Sequence, residues 1–202
     1  MTDKEKMLSG KLYSAACPEL TALRKRARLL MQEFNRTTEH EREKRPKILR
    51  ELLGSFGENG RINPTFLCDY GSNIFIGDDF YANYDCLILD VCRVTIGNHV
   101  LLAPRVCIFT AEHPLDAGVR GTGLESGRPI TIGDNVWIGG NAVINPGVTI
   151  GRNTVIGSGS VVTKNMPENV IAVGNPCRVL REITEEDKRY WKRLRNEYYE
   201  EN

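Results

Sequence analysis

Residues 132–167 read IGDNVWIGGNAVINPGVTIGRNTVIGSGSVVTKNMP and divide without remainder into sixes. Position one holds Ile132, Ile138, Ile144, Ile150, Ile156 and Val162, aliphatic every time, and position two is mostly glycine. Position five holds Val136, Ala142, Val148, Thr154, Ser160 and Met166. This is a hexapeptide repeat: a short strand turns its first residue inward, while adjacent Gly, Asn or Asp residues take turn conformations that branched side chains resist. Three such strands and three turns close a triangular coil of about eighteen residues, and stacked coils run their aliphatic positions into a continuous ladder. An ordinary β-sandwich would instead alternate with period two and show turn clusters every ~8–12 residues.

Upstream, the register is visible in Ile76-Gly77-Asp78, Ala82-Asn83 and Ile88-Leu89-Asp90. It resumes, after a slip of two residues, in Ile96-Gly97-Asn98, Leu102-Ala103-Pro104 and Ile108. Cys86 and Cys92 fall at position five, which reads them as small core thiols. The repeat domain is expected over residues 59–180 with one interruption. Ile108-Phe109-Thr110 opens a hexapeptide that Pro129-Ile130-Thr131 completes, so residues 111–128, AEHPLDAGVRGTGLESGR, form an eighteen-residue excursion from within a single repeat.

Residues 1–58 read as an N-terminal helical segment. PELTALRKRARLLMQEFN places Leu20, Leu23, Ala27, Leu30, Met31 and Phe34 on one stripe, with Pro18 suited to a first turn. A second helix starts at TEHE, where Thr38 and Glu41 have capping-box spacing, and Pro46 bends or restarts it. In the tail, residues 181–202, Thr184 and Asp187 cap a short helix carrying Tyr190, Trp191 and Leu194, whose plain role is to pack on the coil or on a neighbouring subunit.

The 27 Lys+Arg against 26 Asp+Glu give a net charge of +1, so no nucleic acid or anionic membrane is expected as the main partner. The charged start MTDKEKMLSGKLY lacks a signal-peptide core, and no apolar run approaches the ~20 residues of a membrane span, so a cytoplasmic protein is expected. In that compartment the six cysteines stay reduced, and with no C-x-x-C pair no metal site is expected.

The repeats, together with DYGSNIFIG, FYANYDCLILD, EHP, VWIGGNAVINPGVTIG, SVVTKN and GNPCRVLREI, resemble the sugar O-acetyltransferases of the maltose and galactoside acetyltransferase group. The resemblance covers nearly the whole chain, including MLSGKLY near the start. It implies a mainly β fold, a left-handed parallel β-helix of hexapeptide repeats with the N-terminal helical segment as an acceptor-side cap and a short C-terminal helix. It also implies a homotrimer with active sites in the clefts between subunits, and acetyl-CoA as donor to a mono- or disaccharide acceptor. Handedness rests on the resemblance, since parallel crossovers are generally right-handed.

Acetyl transfer from a thioester to a hydroxyl needs a base, and histidine suits this at neutral pH. His40 lies in the charged stretch TTEHEREKR and His99 in the turn of IGNHVL; His113 stands in AEHP at the base of the excursion and matches the family's catalytic histidine. Cys107 falls at a buried repeat position without a nucleophile signature, so direct transfer is expected and not an acyl-enzyme. Glu125 is a candidate to orient His113 or to contact the sugar. For the acceptor the resemblance points to Asp69 and Asn83, with Asp90 beside them. For the donor it points to Gly140, Ser158, Thr163 and Lys164, with Arg178 and Arg181 placed to meet the nucleotide phosphates through bidentate forks. Trp137, outward at position six, is placed either to cover part of the donor or acceptor cleft or to pack between subunits.

Where relatives often carry an acid after LY, this chain has Ser14, Ala15, Ala16 and Cys17, which puts a hydrogen bond to the sugar in question. Three rival readings share the fold. A γ-class carbonic anhydrase needs three histidine ligands, and only two histidines lie in the coil. An acetyltransferase for serine or a xenobiotic would keep the donor site and change the acceptor pocket. A non-catalytic scaffold would have no use for the histidine excursion.

Overall fold

In the computed structural model, which describes residues 1–201, each position-one aliphatic sits in a strand of two to four residues with its side chain inward. The strands stack into three sheets of five, five and seven strands around one shared core, parallel throughout except for the last strand of the seven. Ile132 lies opposite Ile96 and Ile150, Ile138 opposite Leu102 and Ile156, and Ile144 opposite Ile108 and Val162. All of these are at most 2% exposed, which makes the ladder the main apolar burial of the molecule. The chain is thus a parallel β-helix with helical segments at both ends.

The two small-residue positions of the repeat do different jobs. Position two is glycine because coils touch there: a Cβ on Gly133 would stand 2.7 Å from the Arg152 nitrogen. The left-handed backbone falls instead at position four, at Asn135, Asn141 and Asn153 with φ of 57–58° and at Gly147 and Gly159 with φ of 79° and 71°. His99 and Arg105 occupy this position in earlier coils, at φ 55° and 59°, so the turn, and not ligation, accounts for where His99 stands. At position five the two buried hydroxyls are satisfied: Thr154 Oγ1 donates to the Pro167 carbonyl at 2.7 Å, and Ser160 Oγ accepts from the Gly174 N–H at 3.1 Å. Cys86 and Cys92 are buried as expected. Cys107 is not at a buried repeat position: Val106 fills position five, and Cys107 is half-buried on the outer face at position six.

Helix α1 (Asp3–Leu8) is capped by Thr2 and Glu5, and α2 (Pro18–Arg36) buries Leu20, Ala27, Leu30, Met31 and Phe34. The Thr38–Glu41 capping box opens a 3₁₀ turn (Glu39–Lys44), and α3 (Arg45–Leu52) restarts with Pro46 in its first turn. Helices α2 and α3 close the start of the coil, whose first strand, Ser55–Phe56, already pairs with Phe75–Ile76. Residues 1–58 are not helical throughout: Gly10, at φ 74°, turns the chain after α1 into an extended segment, Tyr13–Ser14. The excursion is ordered as a hairpin, Ala111–Glu112 against Leu124–Gly127, with a single-turn helix α4 (Ala117–Arg120) near its tip. At the other end, Arg178–Glu182 folds back antiparallel on Val170–Val173. Helix α5 (Glu185–Glu200) then starts at the Thr184–Asp187 capping box. Tyr190 and Trp191 are 49% and 66% exposed, so they do not pack on the coil of their own chain. Among the described residues no helix is long and apolar enough to cross a membrane.

Cys17, in the segment after LY, is the N-cap of α2 and makes no side-chain cap bond, leaving first-turn N–H groups without that partner. Replacing Cys17 by Ser or Asp is expected to stabilise the fold by about 1 kcal/mol, read as a higher urea midpoint at unchanged m-value.

Candidate active site

One corner of the coil departs from the six-residue spacing three times in succession. Inward residues are eight apart from Cys68 to Ile76 and from Ile88 to Ile96, and twenty-four apart from Ile108 to Ile132, against six at each step from Ile132 to Val162. The strands ahead of these departures, Phe66–Cys68, Cys86–Leu89 and Cys107–Phe109, are neighbours in one sheet, so the surplus residues pile up at one place. That place is a cleft of about 380 Å³, lined among others by Tyr13, Asp69, Tyr70, Val91, His113 and Glu125. Cavities of about 370 and 460 Å³ open among the N-terminal helices, but neither is lined by a histidine. Chemistry, not volume, selects the corner cleft.

The excursion holds His113 on a braced base. Thr110, fully buried, donates from Oγ1 to the Leu89 carbonyl at 2.7 Å and accepts from the Cys92 N–H at 3.0 Å. Two residues on, Arg128 grips the Glu112 carboxylate with Nε and NH2 at 2.9 and 2.5 Å. His113 follows directly and is exposed to the cleft, and no hydrogen bond joins it to Glu125 or to any other described residue. Glu125 is instead held from the far side: Tyr13–Ser14 pairs antiparallel with Leu124–Glu125, and the Tyr13 hydroxyl donates to Glu125 Oε2 at 3.0 Å. Burial, and then the Glu125 charge, push the Tyr13 phenol well above its usual range, so it remains a proton donor.

The other wall is tied by Arg24, whose guanidinium donates to the Tyr70 hydroxyl at 2.7 Å and to the Ala15 carbonyl at 2.6 Å. Burial raises the Asp69 carboxyl, with Glu125 adding to the rise and Arg24 and Arg28 opposing it. Leu89, Val91, Ala111 and Ala15 supply an apolar floor. Ala15, not Cys17, is therefore the residue of the non-acidic segment that meets the cleft. Tyr13, Arg24 and Tyr70 were not among the residues expected here. The visible signal for Tyr70 and Val91 was the register slip, while nothing local marks Tyr13.

Asp90 lies beneath the cleft and not in it. Its carboxylate is fully buried: Oδ1 accepts from the N–H groups of Asp69 and Tyr70 at 3.0 and 2.9 Å, and Oδ2 from Asn73 at 3.2 Å. It shapes the turn that carries Asp69. Asn83 is not brought to His113 within one chain: it follows Tyr81–Ala82 in the seven-stranded sheet, in one column with Ala103 and Gly139, whereas His113 follows a strand of a five-stranded sheet. Gly140 and Ser158 stand at the same register one coil apart, on the Asn83 corner. Thr163 and Lys164, both exposed, follow the strand Val161–Val162 and so lie on the His113 corner. Trp137 is 51% exposed in the strand before Gly140. Arg178 and Arg181 are exposed on the terminal strand, but the Arg181 fork is occupied by Asp187 at 2.6 and 2.9 Å. No cluster of three or more potential metal ligands occurs among the described residues.

Two family profiles match this chain: "Maltose acetyltransferase hexapeptide capping motif" over residues 6–57 and "Bacterial transferase hexapeptide (six repeats)" over residues 129–164. The galactoside O-acetyltransferase of Escherichia coli K12 is 49% identical over 187 residues, covering 93% of this chain and 92% of that protein. The crystal structure of a maltose O-acetyltransferase from Clostridium difficile 630 superposes with a TM-score of 0.90 at 56% identity, over 92% of this chain and 99% of that one. A galactoside acetyltransferase in complex with coenzyme A superposes with a TM-score of 0.91 at 48% identity, over 93% and 94% of the two chains.

Burial raises the Asp90 carboxyl from its ordinary 3.8 to about 7, against the pull of its backbone N–H partners. The folded chain then binds a proton that the unfolded chain releases, so this group makes stability fall as pH rises from 3.8 towards about 7. Asp90→Asn should remove that slope. It should also cost about 1–3 kcal/mol at low pH, because one side of the amide cannot accept the Asn73 N–H. Urea unfolding of both proteins across this window checks it: the gap between them narrows as pH rises.

Proposed function

Because this chain belongs to the maltose and galactoside O-acetyltransferase family and is an acetyltransferase, we propose that it moves the acetyl group of acetyl-CoA to a hydroxyl of a mono- or disaccharide, with His113 as general base. The observation that carries this reading is the corner cleft, where a braced histidine faces two carboxylates, Asp69 and Glu125, across a space of about 380 Å³. Carboxylates suit sugar hydroxyls, and the apolar floor suits the C–H face of a pyranose.

The transfer is a direct displacement. The acceptor oxygen bonds to the thioester carbonyl carbon as His113 takes its proton. The tetrahedral intermediate then collapses with loss of the CoA thiolate, which recovers the proton from the imidazolium. No cysteine nucleophile is needed, and the half-buried Cys107 thiol is pushed towards its protonated form by desolvation. On the donor side, Gly140 and Ser158 leave backbone open for the pantetheine arm beside Trp137, Thr163 and Lys164 bracket the arm, and Arg178 meets the nucleotide phosphates. Arg181 joins Arg178 when a phosphate competes with Asp187 for its fork. Asn83, Gly140 and Ser158 stand on a different corner from His113. A site that uses both sets is completed by a second copy, which accords with a homotrimer whose active sites lie between subunits.

Incubating the protein with acetyl-CoA and a panel of sugars, and following free thiol, tests this directly. His113→Asn should lower kcat by about 10²–10⁴-fold with acetyl-CoA binding retained. Undiminished turnover in the variant would remove the base assignment, and absence of both turnover and CoA binding would remove the catalytic reading.

A further inference from the structure

We propose that Tyr13 is a positioning residue for acceptor turnover, fixing Glu125 so that one carboxylate oxygen is spent on the phenol and the other is presented to the cleft. The inference rests on the reading that Glu125 meets the acceptor, and extends it to a residue more than a hundred positions away in the chain.

Glu125 sits on the returning strand of the excursion, and an isolated hairpin of this length is only marginally stable. Its stiffness comes from a third strand, Tyr13–Ser14, which pairs on the side opposite Ala111–Glu112 with Tyr13 directly across from Glu125. That third strand is itself immobilised. Ser14 donates its N–H to Asp3 Oδ1 at 3.2 Å, and the Met7 carbonyl accepts from Cys92 Sγ at 3.1 Å. The Tyr13 ring is 1% exposed, in a cluster with Met7, Leu20, Tyr70, Val91 and Cys92.

Packing alone would be served as well by phenylalanine. A hydroxyl carried into such a site must find a partner, and this one has a single partner, Glu125 Oε2. Glu125 Oε1 has no bond to any described residue, and Glu125 lines the same cleft as His113. The phenol stays protonated through the working range, so it donates at every pH at which the enzyme is assayed. The bond thus fixes the rotamer of Glu125 from the side away from Ala111–Glu112.

The test compares Tyr13→Phe, Glu125→Gln and the double variant in the full-length protein. Tyr13→Phe should lower kcat/KM for the acceptor about tenfold, the scale of one hydrogen bond to a charged group, and leave KM for acetyl-CoA unchanged. The double variant should be no worse than Glu125→Gln alone. A wild-type acceptor kcat/KM in Tyr13→Phe, or additive losses in the double variant, would overturn the proposal. Unimpaired turnover in Glu125→Gln would instead overturn the reading on which it rests. Replacing Tyr13 by 3-fluorotyrosine keeps both the packing and the donor, so it should keep the wild-type kcat/KM for the acceptor; a tenfold loss in this variant overturns the proposal even where Tyr13→Phe fails to fold.

Discussion

Every coil must return to the column it left. The ladder formed by Ile132, Ile150 and their neighbours is continuous only because consecutive coils match residue for residue, and a slip of one would turn an inward aliphatic to solvent. Chain length is therefore fixed along the strands and free only at the corners. That freedom is used at one corner, where two short surpluses and one long one all contribute lining to a single cleft. The same rule explains how the excursion leaves the register undisturbed: Cys107 still lies opposite Val143, as though the intervening hairpin were absent.

Rigidity of the scaffold does not pass automatically to what is mounted on it. Residues 111–128 are held by three separate devices: the buried Thr110 at the departure, the Glu112–Arg128 fork just beyond it, and the pairing with Tyr13–Ser14 at the far edge. The Arg24 strap to Ala15 and Tyr70 binds the opposite wall to the same N-terminal segment. The cleft is thus positioned jointly by the coil and by the first fifteen residues of the chain.

The coil was legible in the sequence because its cause is local: an inward residue every six positions and a small one beside it. The caps of α5 and of the turn after Thr38 were legible for the same reason, each set by two residues three apart. What escaped was non-local. The pairing of Tyr13 with Glu125 joins distant segments, and no periodicity in a two-residue strand announces it. Asp90 carries the chemistry of a sugar ligand, and only its burial under the turn of Asp69 shows that it serves the backbone. Cys107 was misplaced by one position within its repeat, which in a strand is enough to move a side chain from core to surface. The register slip between Ile88 and Ile96 was visible; that it stacks on a second slip and on the excursion becomes clear only when the coils are superimposed.

The two ends of the coil differ from its middle in a way that bears on assembly. A stack of parallel strands presents unsatisfied N–H and C=O groups at each terminus, a template onto which further chains could add without limit. Here α2 and α3 seal the first coil, and the terminal strand reverses direction at Arg178–Glu182, so the last parallel rung of the seven-stranded sheet is spent within the molecule. Strand addition along the axis is thereby opposed at both ends of the coil, by helices at one and by an antiparallel strand at the other.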